Sequence, residues 1–331
     1  MPQPSYEYAL GRISVLSTHL LTAAQLRRIA EAGSSQEAIK LLMETGYGEN
    51  QTTEQEIALG EIDLIIREQL QLTRKRIQEI TPDPELTGLF LLPVDTHNLK
   101  ALLKARLLGT SADDILREGG NFSLQDLKDM VQTKYYEDLP PIYQHTLEAI
   151  EGELNREPDP FLLSAQLDQA MFAQAQEVLD RKKEHGFIRE YFSLWADFTN
   201  TLSLIRAQNL HWDVAKLRQV LITCGEIPLK VFEESLDVPA EQLGASLGQG
   251  SHKGELIQAI NEYAQTNELG VIPKRMKEGL SLIIRRAKRD THTLGPIVGY
   301  LMARETEAEA LRLIFGGLQG GFEVTLPEVY A

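Results

Sequence analysis

Seven histidines (His19, His97, His145, His185, His211, His252 and His292), one cysteine (Cys224) and 48 acidic residues are the side chains with which this chain would bind a metal or run acid–base or nucleophilic chemistry. Their spacing argues against each. A zinc site on a helix needs two imidazoles one turn apart, and no His-x-x-x-His pair occurs. His97 reads instead as a packing or surface histidine. Asp113-Asp114 and Glu151-Gly152-Glu153 have the look of divalent-cation ligands, but in so acidic a chain such neighbours read as solvated helix faces. Cys224 stands beside Gly225 with no histidine at a motif spacing to activate it, and one thiol allows neither an intrachain disulfide nor a thiolate cluster.

The glycines give the same answer. Gly316-Gly317-Leu318-Gln319-Gly320-Gly321 has the composition of a phosphate loop, yet it follows a helical pattern instead of a strand and lacks the Lys-Ser/Thr pair, so it reads as a helix stop. Gly248-Gln249-Gly250-Ser251-His252-Lys253 fails the same test. Arg285-Arg286-Ala287-Lys288-Arg289, the one basic run, reads as a solvated helix face, with a docking patch for an acidic partner as its functional reading. No catalytic, cofactor-binding or metal-ligating residue is assigned.

What stands out is a repetition. Asp95-Thr96-His97-Asn98-Leu99-Lys100-Ala101-Leu102-Leu103-Lys104-Ala105 is echoed 102 positions later by Asp197-Phe198-Thr199-Asn200-Thr201-Leu202-Ser203-Leu204-Ile205-Arg206-Ala207. Gly120-Asn121-Phe122 is answered by Gly225-Glu226-Ile227, after a loop three residues longer. The matched positions are Asp95/Asp197, Asn98/Asn200, Leu102/Leu204 and Ala105/Ala207. The aspartates read as helix caps or first-turn acids, the asparagines as backbone binders, and the leucines and alanines as the packing surface between helices. A duplicated helical unit of about a hundred residues is a statement about architecture. A third copy would open in the last helix, with Glu305, Arg312 and Gly316 where Asn98, Ala105 and Gly109 stand, and the N-terminal helices would complete it. Thr45-Gly46-Tyr47 and Thr133-Lys134-Tyr135, similar tails after two helices, place the N-terminal part in the same set.

The elements that must position these residues are helical. Apolar periodicity predicts helices over Tyr6–Ala32 with a break near Thr22, then 36–44, 53–80, 95–108, 160–180, 186–208, 212–223, 229–236, 240–247, 254–266, 273–293 and 296–315. Pro82-Asp83-Pro84, Pro140-Pro141 and Pro158-Asp159-Pro160 punctuate them. Alternating strand character appears only at 322–326. Hydrophobic residues at 43% and charged residues at 24% allow a sizeable core, so disorder is excluded and an all-α fold expected.

A formal charge of −15 repels phosphate backbones and anionic lipid, which excludes nucleic acid as a partner and favours a protein with a basic surface. Met1-Pro2-Gln3-Pro4-Ser5 has no basic and apolar leader pattern, and no apolar run approaches the ~20 residues that cross a bilayer. No direct membrane insertion is expected.

Four places together resemble the C-subunit family of prokaryotic V/A-type ATPases and ATP synthases, equivalent to the d-subunit of the vacuolar enzyme. They are Tyr6-Glu7-Tyr8-Ala9-Leu10-Gly11-Arg12, Thr45-Gly46-Tyr47, Asp95-Thr96-His97-Asn98-Leu99-Lys100 and Arg304-Glu305-Thr306-Glu307-Ala308-Glu309-Ala310-Leu311-Arg312. The resemblance spans nearly the whole chain. It implies three similar helical-bundle units around a pseudo-threefold axis in a funnel shape: about 1–90 with 296–316, 91–190 and 191–295. It also implies a non-catalytic central-stalk role without cofactor, with central-shaft subunits (D and F type) and a proteolipid rotor ring as partners, in the cytoplasm and peripheral to the membrane. Two departures are visible: Gly316-Gly317 stands where the family runs into Gly-Lys, and Leu311-Arg312 lacks the asparagine many members place before it. The alternative is a helical-repeat binding scaffold unrelated to rotary machines, whose shorter period of about 34 to 47 residues does not stand out here.

Overall fold

The computed structural model describes residues 4–47, 61–154, 159–322 and 324. Among them every regular element is a helix. In chain order these are α1 (Tyr6–Ser17), α2 (Ala23–Ala30), α3 (Ser35–Glu44), α4 (Ile62–Ile80), α5 (Pro84–Gly88), α6 (Leu92–Leu108), α7 (Leu124–Thr133), α8 (Pro141–Leu154), α9 (Pro160–Arg181), α10 (Phe187–Asn209), α11 (Val214–Arg218), α12 (Leu229–Glu234), α13 (Ala240–Leu247), α14 (Lys253–Thr266), α15 (Val271–Ala287) and α16 (Gly295–Gly320). The strand-like stretch at 322–326 and the first part of the helix expected from residue 53 fall largely outside the described residues.

Local chemistry explains most boundaries. The break near Thr22 is a capping box: the Thr22 hydroxyl accepts from the Gln25 N–H, and the Gln25 side chain accepts from the Thr22 N–H. Asp159 accepts from the Phe161 N–H to open α9, with Pro160 in the first turn. α6 begins at Leu92, three residues before Asp95, because Pro93 suits the start of a helix; Asp95 is then a first-turn acid and not the cap.

Two expectations fail for identifiable reasons. α15 ends at Ala287 and not near 293, because residues 290–293 form a turn in which the Asp290 side chain accepts from the His292 N–H. α16 does not stop at Gly316-Gly317 but runs to Gly320, with Gly321 in the left-handed region (φ +69°) as its terminator. Gly317 sits inside the helix because Val324 folds back on it: a Cβ built there would lie 1.9 Å from the Val324 side chain. Tertiary packing outweighs the roughly 1 kcal/mol that glycine costs in a helix.

The chain forms two compact units: Met1–Thr87 with Arg117–Ser123 and Ala287–Ala331, and Gly88–Leu116 with Leu124–Arg286. In the first, α16 packs on α1, α2, α3 and α4, so the two ends of the chain share one core. That core joins Leu26, Ile39, Leu42, Ile65, Leu311 and Ile314. In the second, α9 and α10 run antiparallel, as Phe161 meets Trp212 at one end and Phe172 meets Trp195 toward the other. Phe90, Tyr191 and Phe192 extend this aromatic cluster, whose edge and tilted contacts suit the ring quadrupoles. α6 and α8 run in the same direction, with Thr96 against Tyr143 and Arg106 against Glu151.

The two repeat leucines are packed unequally. Leu204 is fully buried, whereas Leu102 is half-buried against a small cluster of Ala101, Ala105, Ala112 and Leu116. Leu204→Ala should therefore cost about 2 to 5 kcal/mol, and Leu102→Ala less than half as much, in denaturant unfolding. Equal losses would mean that the neighbours of Leu102 close over it.

Candidate functional site

The sequence repeat leads to a set of buried polar side chains, best resolved on α10. Asp197 lies in the middle of this helix, so it is not a helix cap. Its carboxylate accepts from the backbone N–H groups of Glu226 (3.0 Å) and Ile227 (3.2 Å), on the segment that returns toward the helix. One turn on, Asn200 pairs twice with a single residue: its Nδ2 donates to the Ile222 carbonyl (2.9 Å) and its Oδ1 accepts from the Ile222 N–H (2.8 Å). Further along the same face, the Gln208 Nε2 lies within 3.2 Å of the carbonyls of Ser235, Leu236 and Val238. Leu204 and Ala207 are fully buried on the same helix.

The returning segment is shaped to fit. A Cβ built on Gly225 would stand 2.1 Å from Asp197 Oδ1, so only glycine lets the backbone come this close. Cys224 adopts φ +79° just before it. Burial pushes the Cys224 thiol up to about 12, which keeps it protonated at neutral pH and poor as a nucleophile.

On α6, Asp95, Asn98 and Ala105 are buried. Thr96 bonds the Tyr143 hydroxyl (2.5 Å), and His97 Nε2 meets the Ile115 carbonyl (2.8 Å), which gives that histidine a packing role. Arg106 donates to the Val131 carbonyl (2.5 Å) near the end of α7 and pairs with Glu151. Arg106 and Gln208 stand 102 positions apart, the repeat spacing, and both reach backbone carbonyls at or just beyond the end of a following helix. Residue identity hides this pair; the spacing alone would have found it.

α16 solves the same problem with charge. Arg304 and Glu307 form an ion pair (2.6 Å) that is almost wholly buried, the Tyr300 hydroxyl accepts from Arg304 (3.2 Å), and Glu307 Oε2 accepts from the Leu21 N–H (2.6 Å). Arg312 pairs with Asp63 of α4 (3.0 Å). Glu305 is half-buried, and its carboxyl is pushed up to about 8 by desolvation and by Glu309.

One member of each acid pair is engaged locally. Asp113 takes Lys128 (2.6 Å) and Ser111 (2.8 Å), and Glu151 takes Arg106 and Tyr136 (2.7 Å). The loop at Gly250 offers no N–H cradle to a phosphate, since Glu226 already accepts from the Ser251 N–H (2.6 Å) and hydroxyl (2.8 Å). Among the described residues no group of three His, Cys, Asp or Glu side chains could hold a metal, and no helix is long and apolar enough to cross a membrane.

Two measurements test these contacts. Arg304→Met strands the Glu307 carboxylate in the core and should cost about 3 to 5 kcal/mol; adding Glu307→Gln, which still accepts from Leu21, should recover much of it. Full additivity of the two changes would contradict the pairing. Asp197 concerns pH. Burial outweighs its two N–H donors and raises the carboxyl to about 7, against about 3.9 unfolded, so the folded state holds its proton longer and stability falls as pH rises from about 4 to about 7. The stability advantage of the parent over Asp197→Asn should therefore be larger at pH 5 than at pH 8 in urea titrations. A constant difference would mean an ordinary carboxylate.

Comparison with known proteins agrees with this architecture. Residues 9–326 match the family model described as ATP synthase (C/AC39) subunit. The chain is 24% identical to the C subunit of the A-type ATP synthase of Pyrococcus abyssi, over 96% of this chain and 87% of that protein. It is 22% identical to the C subunit of the A-type ATP synthase of Methanocaldococcus jannaschii, over 94% and 82%. It is also 22% identical to the C subunit of the V-type sodium ATPase of Enterococcus hirae, over 75% of each. With the family model covering nearly every residue of an all-helical chain, this protein belongs to the ATP synthase (C/AC39) subunit family of A/V-type ATP synthases.

Proposed function

We propose that the chain is a non-catalytic central-stalk subunit of a rotary V/A-type ATPase or ATP synthase, coupling the central-shaft subunits (D and F type) to the proteolipid rotor ring that carries protons or sodium ions. The family match across residues 9–326 carries this reading. The chemistry of the chain supports it, because Asp197 and Asn200 are spent on the chain's own backbone and Asp113 and Glu151 on its own cations. Asp95, Asn98, Leu102, Ala105, Asp197, Asn200, Leu204 and Ala207 then act as structural repeat positions in two of three similar units. The protein lies at the cytoplasmic side of the membrane and is held there through the ring.

The charge of −15 supports a role for the acidic surface in capturing a basic shaft foot, with solubility alone as the alternative that a flat salt profile would favour. Association with the isolated shaft should slow steadily between about 50 and 300 mM salt, as screening over ~8 to 10 Å weakens steering. The ring contact should respond less. Calorimetry with ATP should give no binding heat. Nucleotide binding, or failure to bind both shaft and ring, would overturn the assignment.

A further inference from the structure

One surface is left unexplained by a shaft-and-ring coupler that relies on acidity. α15 carries five Lys or Arg residues against one Glu, a net charge of +4 on a chain of −15. Its inner face is committed to the core: Ile272, Leu280, Ile283 and Ile284 are buried, and a Cβ built on Gly279 would come within 3.0 Å of the Leu194 side chain of α10. Two of its cations brace the helix from the flanks. Arg275 pairs with Glu262 of α14 (2.6 Å) and with Glu278 (3.1 Å), and Arg286 pairs with Glu190 of α10.

The outward face is different. Lys274 and Arg285 are exposed, with no carboxylate at ion-pair distance among the described residues. They lie eleven residues apart on one side of the helix, about 16 Å along its axis. Leu282 sits between them, 52% exposed, the one large exposed apolar side chain of this helix. An exposed apolar side chain between two unpaired cations three turns apart, with the intervening Glu278 already taken by Arg275, has the anatomy of an interface, with a desolvating centre and a charged rim.

We infer that this face of α15 docks an acidic amphipathic helix of another protein, with glutamates three turns apart and an apolar residue between them. Charge complementarity selects the occupant: the chain is acidic overall, so a basic face here attracts a negative partner that the net charge of the chain repels, and the approach is thereby oriented. An anionic bilayer is the poorer fit, because the apolar side of α15 is buried in the core and cannot insert. This face of the folded chain would hold such a helix whether or not the chain serves as a stalk subunit.

The probe is a fluorescently labelled synthetic helical peptide with that Glu and Leu spacing, titrated with the full chain by fluorescence anisotropy at about 50 mM salt. Lys274→Glu, Arg285→Glu and Leu282→Asp should each weaken binding about tenfold or more, while Lys40→Glu, at an exposed position on α3, should change it less than about twofold. Parent-like binding by all three variants would overturn the inference. So would equal binding of a peptide with serine in place of its leucine, which would mean ion exchange alone. Tighter capture by phosphatidylcholine vesicles containing roughly a third phosphatidylglycerol would overturn it in favour of lipid.

Discussion

Much of the second unit depends on one kind of interaction, a buried polar side chain on a long helix bonded to the backbone of the segment that returns to it. Residues 222–238 include only the short helix α12, so many of their N–H and C=O groups have no partner of their own. α10 supplies them. Asp197, Asn200 and Gln208 lie on one helical face and meet the backbone of Glu226 and Ile227, of Ile222, and of Ser235, Leu236 and Val238 in turn. A buried amide or carboxylate left without such a partner costs about 1 to 3 kcal/mol, so each contact is obligatory once the segment is desolvated. Side chain and segment therefore fix one another.

The same requirement is met differently on each repeat helix. Asn200 is neutral and pairs completely with one residue, whereas Asp197 carries a charge into the core, where burial drives its carboxyl to about 7. α16 buries both signs at once, with Arg304 held by Glu307 and Tyr300. Such a pair adds little net stability, because desolvation offsets the attraction, but it is unforgiving of a missing partner. Its second task is positional: Glu307 also holds the Leu21 N–H just before α2, which ties the N-terminal helices to the last helix across 286 residues of sequence. A hydrophobic contact could hold them together. Only a directional one fixes their register.

These differences decide what the sequence can reveal. Asp and Asn recur 102 residues apart because both copies bury them, and a buried polar position admits few residue types. Helix type and order are legible for the same reason, since burial imposes periodicity: α2, α3, α9, α10 and α14 lie where their apolar spacing puts them. α8 escapes such a reading, because Pro140-Pro141 looks like punctuation, although Pro141 occupies the first position of the helix, where proline is at home. Arg106 and Gln208 share a role and not a chemistry, so comparing identities misses them. The course of α16 through Gly316-Gly317 is hidden because what permits it, Val324 folding back on Gly317, is a contact beyond the helix itself. The inequality of Leu102 and Leu204 likewise comes from their neighbours: alanines surround the first, while the second lies on a helix buried on nearly every side.

A protein proposed to carry torque must resist shear between its elements, and this gives the polar stripe a meaning beyond stability. Apolar side chains slide past one another at modest cost, because dispersion and burial depend weakly on register. Hydrogen bonds from a helix face to a particular carbonyl or N–H do not tolerate such sliding, since their energy falls steeply with distance and angle. α10 is fastened at three points spread over eleven residues, about 16 Å along its axis. The segment it holds passes through Glu226, whose side chain in turn holds Ser251 at the approach to α14. Force entering at either end of that chain of bonds meets backbone at each step, so the long helix and its return segment move as one body.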